Sequence, residues 1–460
     1  MKKNETLQPK TARFVTGSTM HHVTVMSATG SVGLFAVFLV DFLTLGYIAQ
    51  LNNHRLTAGI GAASLIMFLC RSVNIGLMIA VAALVSRTLG QEKRSEARHV
   101  ATASLILLCL GALFVSVAVL PFLPLILPLV GATPEIYIPA REYLIITLPA
   151  NGIAALGMGA SAVLRAYGEA RRSMFVTLSG ALATAFLAPF FIFFLKLGVI
   201  GAGLTVALSN GIIAMVGLYF TVYKMRSLAA PNWTDIQNFY TPIMRVGIPA
   251  VGTNLATPIG NAFIAKMISN YGELAYSAYS IVDRLVPVAF CGFFALSGCI
   301  GSILGQNWGA QRFDRMRQAL KDAAVLSIVY VLVVWCILYF SSPYIAHYFN
   351  ADAYTTDLIT FFCTTSGLFW FFNGMLFCAN ASFNNLGFPY LATLFNWGRA
   401  TVGVLPFVLI GAYYGGVKGI YSGTIVGAVV FGSTALITAF WTITKLEKQA
   451  MKQIHLHKNL

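Results

Sequence analysis

Charge is what this chain has least of. Of 460 residues, 10% are Asp, Glu, Lys or Arg and 58% are hydrophobic, and the mean hydropathy is +0.77. A soluble protein carries about 25% charged residues, so the composition excludes an ordinary soluble domain. Alternation of the kind a lipid-facing barrel strand needs is also missing, while apolar runs reach the roughly 20 residues of a spanning helix. No Gly-Lys-Ser/Thr phosphate loop, HExxH or Gly-x-Ser-x-Gly occurs, so no enzyme is signalled and no site for ATP hydrolysis. Cys70, Cys109, Cys291, Cys299, Cys336, Cys363 and Cys378 lie in apolar runs without a CxxC pair. They read as small buried hydrophobes, not as disulfides or metal ligands. A cleavable signal peptide is not expected, because the first apolar run is too long for one.

What is present is a series of about twelve apolar spans, near 22–50, 57–86, 99–127, 137–164, 173–195, 199–223, 242–267, 274–305, 320–346, 354–382, 389–412 and 418–443. The net charge of +15 does not point to nucleic acid, because the basic residues sit in short loops between spans. With the N-terminus inside, 22 of the 30 basic residues fall in inside segments and four (Arg55, Arg141, Lys196, Lys418) outside. The positive-inside rule therefore puts both termini in the cytoplasm.

The sequence also repeats. Gly90 and Gly309, each followed by basic residues, lie 219 apart, as do Gly168 and Gly387. Pro189 and Pro406 lie 217 apart, and Gly198 and Gly416 lie 218 apart. Two six-helix lobes in one orientation follow: 1–223, then a linker at 224–241, then 242–444 and a basic tail at 445–460. The predicted fold is an all-α polytopic membrane protein, and parallel repeats of this kind are a transporter architecture.

Of 15 acidic residues, Asp41 and Asp283 lie well inside spans, while Glu142, Asp322 and Asp357 lie within five residues of a span end and the rest lie outside. An ionisable group well inside a span is a functional hypothesis by default. Asp41 can take up a proton or sodium ion; it can also form a structural bridge, for example to Arg71. Asp283 adjoins Arg284, and neighbours on a helix do not face each other, so function and bridging stay open for both. Polar breaks in the first lobe are Asn151, Thr184, Thr205 and Asn210; in the second they are Asn254, Thr257, Asn261, Asn373 and Asn380. Each serves either as helix–helix glue or, as a set lining a cavity, as a cation or substrate contact. Thr184, Thr205 and Asn210 are the expected neighbours of Asp41. Asn151, Asn254, Thr257, Asn261, Asn373, Asp283 and Arg284 are the candidate substrate contacts.

The chain resembles the multidrug and toxic compound extrusion family over nearly its full length. The marks are Asp41 followed by Leu45-Gly46 and Ile48-Ala49, Leu84-Val85-Ser86 through Gly90, Leu164-Arg165-Ala166-Tyr167-Gly168, Gly247-Ile248-Pro249, and Gly305-Gln306-Asn307-Trp308-Gly309-Ala310. The resemblance implies a V-shaped pair of six-helix bundles around a central cavity, and antiport of a proton or sodium ion against small organic, often cationic or aromatic, compounds. It makes Asp41 the coupling residue. Thr257 stands where one branch of the family has a glutamate, and Asn373 near where that branch has an aspartate. Thr184 through Pro189 replaces the Asn-x-x-Leu-Asp-Pro of another branch. These departures favour a proton over sodium. The expectation is thus a multi-pass exporter of the inner membrane, monomeric, touching the lipid bilayer and a small-molecule substrate, with no cofactor beyond the coupling ion. Rivals are a lipid-linked oligosaccharide flippase, expected to have three or more arginines in its cavity, and a non-transporting membrane scaffold or receptor.

Overall fold

The structure, a computed structural model, describes residues 12–49, 54–129, 133–349 and 351–458. Lys2, Lys3 and Lys10, and the side chains of Leu45, Gly46, Ile48, Ala49, His455 and His457, lie outside the described residues.

Among the described residues every regular element is helical. The order is α1 (Thr19–Ala49), α2 (His54–Gly90), α3 (Arg94–Val119), α4 (Leu123–Leu129), α5 (Pro134–Ala166), α6 (Ala170–Pro189), α7 (Gly198–Leu218), α8 (Trp233–Ser269), α9 (Glu273–Ala289), α10 (Cys291–Gly309), α11 (Phe313–Tyr348), α12 (Ala353–Asn385), α13 (Pro389–Ala400) and α14 (Leu405–Lys458). Among the described residues nine stretches are long and apolar enough to cross a membrane, and α9 with α10, meeting at 44°, makes a tenth. One of the nine, Pro389–Gln453, holds α13 and α14, and α14 is itself divided at Gly416. That division, with the more polar α8, reaches the twelve spans the sequence predicts.

The repeat governs the element boundaries. The first residues of α2, α3, α5 and α6 lie 219 positions before those of α9, α11, α12 and α13. The turns repeat too. Gly168 (φ 82) ends α5 and Gly387 (φ 85) ends α12. Both take the left-handed conformation that closes a helix and that glycine adopts without a Cβ clash.

The chain forms two compact units, 29–251 and 1–28 with 252–460. They follow the repeat except at its first helices. The start of α1 packs with the C-terminal unit, and the start of α8 packs with the N-terminal unit. In the N-terminal unit α5 is the hub, touching α2, α3, α6 and α7. Its core joins Val81 and Val85 of α2, Leu105 and Leu108 of α3, and Ala155 and Val163 of α5. Arg98 donates to the Leu228 carbonyl at 2.9 Å, and the Ala229 amide donates to Thr102 Oγ1 at 2.9 Å. These bonds fix the segment that leads into α8.

In the C-terminal unit α12 is the hub, touching α9, α10, α11, α13 and α14. Phe290 stacks on Trp370 with ring centroids 4.6 Å apart. The segment before α1 docks here through Phe14, which is buried. The Phe14 amide donates to Gln306 Oε1 at 2.8 Å, and Arg315 donates to the carbonyls of Phe14 and Gly17, both at 2.9 Å. All seven cysteines are free thiols. Cys336 corrects the expectation of burial: it sits on an exposed face of α11, and an exposed thiol costs little on the lipid side of a spanning helix.

Candidate functional site

In the N-terminal unit Asp41 lies on α1 with its side chain exposed, not packed into the core. The charges it feels are those of Arg71 on α2 and, reciprocally, it acts on Tyr143 of α5. Asp41 is thus within electrostatic reach of α2 and α5 of its own unit. A carboxylate on an apolar helix needs such polar company or water. Sequence reasoning named Arg71 as a possible partner and missed Tyr143. A tyrosine beside Arg141 and Glu142 at a span end carries no motif to announce it.

The three expected neighbours of Asp41 form a different arrangement. Thr184 on α6 donates to Ser209 of α7 at 2.9 Å, and Asn210, next in sequence, is buried with its Nδ2 lacking an acceptor. Thr205 is buried and donates to the Gly201 carbonyl at 2.8 Å, a turn earlier on its own helix. No hydrogen bond links any of the three to Asp41 among the described residues. Asn151 is fully buried at a junction of three helices. It accepts from Asn74 of α2 at 2.9 Å and donates to Ser116 of α3 at 2.9 Å. Its amide is spent on joining helices, the satisfied state that buried polar groups require.

The C-terminal unit places Thr257 against Arg399 of α13, whose Nη2 donates to the Thr257 hydroxyl at 3.3 Å. Two further contacts register α13 on α8. Trp397 Nε1 donates to the Gly252 carbonyl at 3.0 Å, and the Thr253 and Thr393 hydroxyls meet at 3.1 Å. Asn373 is buried on α12 with its Oδ1 lacking a donor, and Asn380 is alike. Asn254 is half-buried, and Asn261 is exposed with its backbone carbonyl accepting from Tyr279 at 3.4 Å. Asp283 and Arg284 are both exposed on α9. Asp283 lies within electrostatic reach of Arg284, Tyr279 and Tyr421. Among the candidate contacts in this unit, Thr257 is brought to a charged partner, Arg399, by a hydrogen bond. Among the described residues no three His, Cys, Asp or Glu side chains are grouped to hold a metal.

The sequence profile of the MatE family matches residues 31–190 and, a second time, residues 249–410. The chain belongs to the MatE family. The two matches start 218 residues apart, so the profile finds each copy of the repeat separately. Among curated relatives are an FAD transporter from Shewanella oneidensis (24% identical, covering 86% of this chain and 88% of the relative) and a probable multidrug resistance protein NorM from Thermotoga maritima (24% identical, 86% of each). Among solved structures, an outward-facing multidrug resistance MATE family transporter of the MOP superfamily aligns with a TM-score of 0.88 over 95% of this chain and 99% of that one, at 20% identity. At that identity the likeness carries the fold. Membership of the MatE family makes this chain a multi-pass membrane transporter in contact with the bilayer.

The MatE fold thus carries two unlike polar features here. One is a carboxylate that can gain and lose a proton beside a guanidinium. The other is a guanidinium that stays charged, held by a neutral hydroxyl.

Proposed function

We propose that this MatE transporter is a proton-coupled antiporter that exports small organic compounds across the inner membrane, with both termini in the cytoplasm. The observation that carries the reading is Asp41, a carboxylate on an apolar helix within electrostatic reach of Arg71. When Asp41 is ionised, α1 is drawn to α2 through Arg71. A proton neutralises the carboxylate and cancels that attraction, so proton uptake changes how α1 packs in its unit. A packed helix with two arrangements is the element that such a switch needs.

Arg71 also bears on the identity of the ion. Sodium needs several oxygen ligands and is repelled by a guanidinium. The hydroxyls expected to supply the site, on Thr184 and Thr205, donate to Ser209 and to the Gly180 and Gly201 carbonyls, and among the described residues neither is hydrogen-bonded to Asp41. A proton needs the carboxylate alone. The names of the relatives span multidrug resistance proteins and an FAD transporter, so relatedness leaves the cargo class open.

The test uses the full chain in liposomes with an imposed pH gradient or sodium gradient and a fluorescent organic cargo. Export is expected with the pH gradient only, and Asp41→Asn is expected to abolish it while folding normally. Export driven by sodium, or proton-driven export by Asp41→Asn, overturns the reading.

A further inference from the structure

Two charged side chains are buried among the described residues, Asp322 and Arg399. Asp322 is answered: Thr19 donates to its Oδ2 and Gln318 to its Oδ1. Arg399 is not. Its one hydrogen bond is to the neutral Thr257 hydroxyl, and its Nε finds no acceptor. Asp283, a carboxylate on α9 of this unit, lies within electrostatic reach of Arg284, Tyr279 and Tyr421 instead. A buried guanidinium without a counter-charge is expensive, and packing alone would be served better by an apolar side chain.

Its position is equally specific. Arg399 lies ten residues into α13, about 15 Å along the helix, half the roughly 30 Å thickness of a hydrocarbon core. The helix ends one residue later, and α14 begins at Leu405. Broken helices at mid-membrane are where carriers place ligands. Thr393, Trp397 and Ala400 seat α13 against α8, and 7% of Arg399 remains accessible.

We propose that Arg399 is the cargo site of the C-terminal unit and that it takes an organic anion, a molecule bearing a carboxylate or phosphate that supplies the missing counter-charge. The planar fork of a guanidinium matches these two groups and repels a cation. This deepens the transport reading and rests on it, and it reverses the charge of cargo that the family resemblance implied. Thr257, one hydrogen bond away, sets the specificity: its neutral hydroxyl orients the guanidinium and leaves its charge available.

The test measures equilibrium binding to the full chain in phosphatidylcholine nanodiscs, with riboflavin 5′-phosphate and riboflavin as a pair that shares one ring and differs by the phosphate. The wild-type protein is expected to prefer the phosphate about tenfold or more, as a hydrogen bond to a charged group allows. Arg399→Gln removes the preference without lowering the melting temperature, and Arg399→Lys retains part of it. Thr257→Glu also removes it, because an internal carboxylate then occupies the guanidinium. Equal affinity for the two probes, binding of neither, or a preference that survives Arg399→Gln overturns the proposal. So does Arg399→Gln melting well below wild type while Thr257→Glu keeps the preference, since Arg399 is then a packing element. Nanodiscs containing phosphatidylglycerol separate the lipid source: if that lipid abolishes the preference, Arg399 holds a headgroup and the cargo assignment fails. No gradient is used, so failed export in liposomes would sink the transport reading without touching this measurement.

Discussion

The two copies of the repeat share one helix plan and place their charged side chains at different positions. Counting 219 residues on, Asp41, Arg71 and Tyr143 of the N-terminal copy become Gly260, Phe290 and Phe362. Counting back, Arg399 and Thr257 become Gly180 and Phe38. Each polar constellation is thus replaced in the other copy by apolar side chains or by glycine. The replacements are packed into service: Phe290 stacks on Trp370, and a Cβ on Gly260 would lie 3.3 Å from that of Ala400. Helix boundaries and turns tolerate duplication because they depend on apolar periodicity and a few left-handed residues. A charged site is specified by single side chains and diverges freely. On the functions proposed above, the titratable copy couples and the fixed-charge copy binds.

The largest effect should come from trying to exchange the two roles. Asp41→Asn is expected to bring proton-driven export down to the level of empty liposomes. Adding Gly260→Asp, the equivalent position, should not restore it. The new carboxylate would lie next to the helix that carries Arg399, and its Cβ has Ala400 at contact distance. Flux under a pH gradient checks both variants, and rescue by the double variant would show the copies to be interchangeable.

Packing gives the next contrast. A Cβ on Gly427 of α14 would meet the Gly403 carbonyl oxygen at 1.9 Å, backbone against backbone at the break after α13. Leu208 on α7, in the matching stretch of the other copy, is 47% exposed. Gly427→Ala is therefore expected to destabilise by about 3 kcal/mol, and Leu208→Ala by about 0.5 kcal/mol or less. Chemical denaturation in detergent measures the difference, and equal losses would mean that the break is not as tight as its geometry.

Much of this plan was legible in the sequence. The span count, the repeat and its offset follow from run length and from glycines with fixed spacing, signals that are local and redundant. Asp41 stood out because a carboxylate in an apolar run has few innocent explanations. The partners were less legible. The place of Thr184, Thr205 and Asn210 in the chain points to Asp41, whereas the structure turns Thr184 and Thr205 to Ser209 and to backbone carbonyls and leaves the Asn210 Nδ2 buried without an acceptor. Arg399 was seen as a charge, but its isolation depends on which side chains surround it, and that is set by how α13 registers on α8. The exchange of the first helices between units is invisible to a repeat, which marks homologous positions and not packing partners.

That exchange can be probed through its two docking segments. Arg315 donates to the carbonyls of Phe14, Thr16 and Gly17 and to Asn307 Oδ1. In the other unit, Arg98 donates from two nitrogens to one carbonyl, that of Leu228. Arg315→Ala is expected to release its segment at a cost of about 2 kcal/mol and to speed tryptic cleavage after Arg13. Arg98→Ala should speed cleavage after Arg226 by less, because Thr102 still holds Ala229. Cleavage rates that rank the other way would make the linker the more weakly held segment.

The smallest contrast is at the caps of the two hub helices. Asp352 opens α12, its Oδ1 accepting from the Tyr354 amide at 2.8 Å and the Thr355 amide at 2.9 Å. Thr133, its counterpart before α5, has no side-chain cap. The Thr355 amide beside Asp352 holds its carboxyl below the usual carboxylate range. A carboxyl depressed in the folded state stabilises above its unfolded value, near 3.9, and loses that contribution as pH falls through the folded value. Asp352→Ala should therefore lower the melting temperature at neutral pH and do so less as the pH drops below about 4. Thr133→Asp should raise it with the same pH dependence, by giving α5 the cap that α12 already has. Melting curves of the two variants across pH decide it: a shift for Asp352→Ala that is the same at every pH would mean that the cap acts through shape and not through charge.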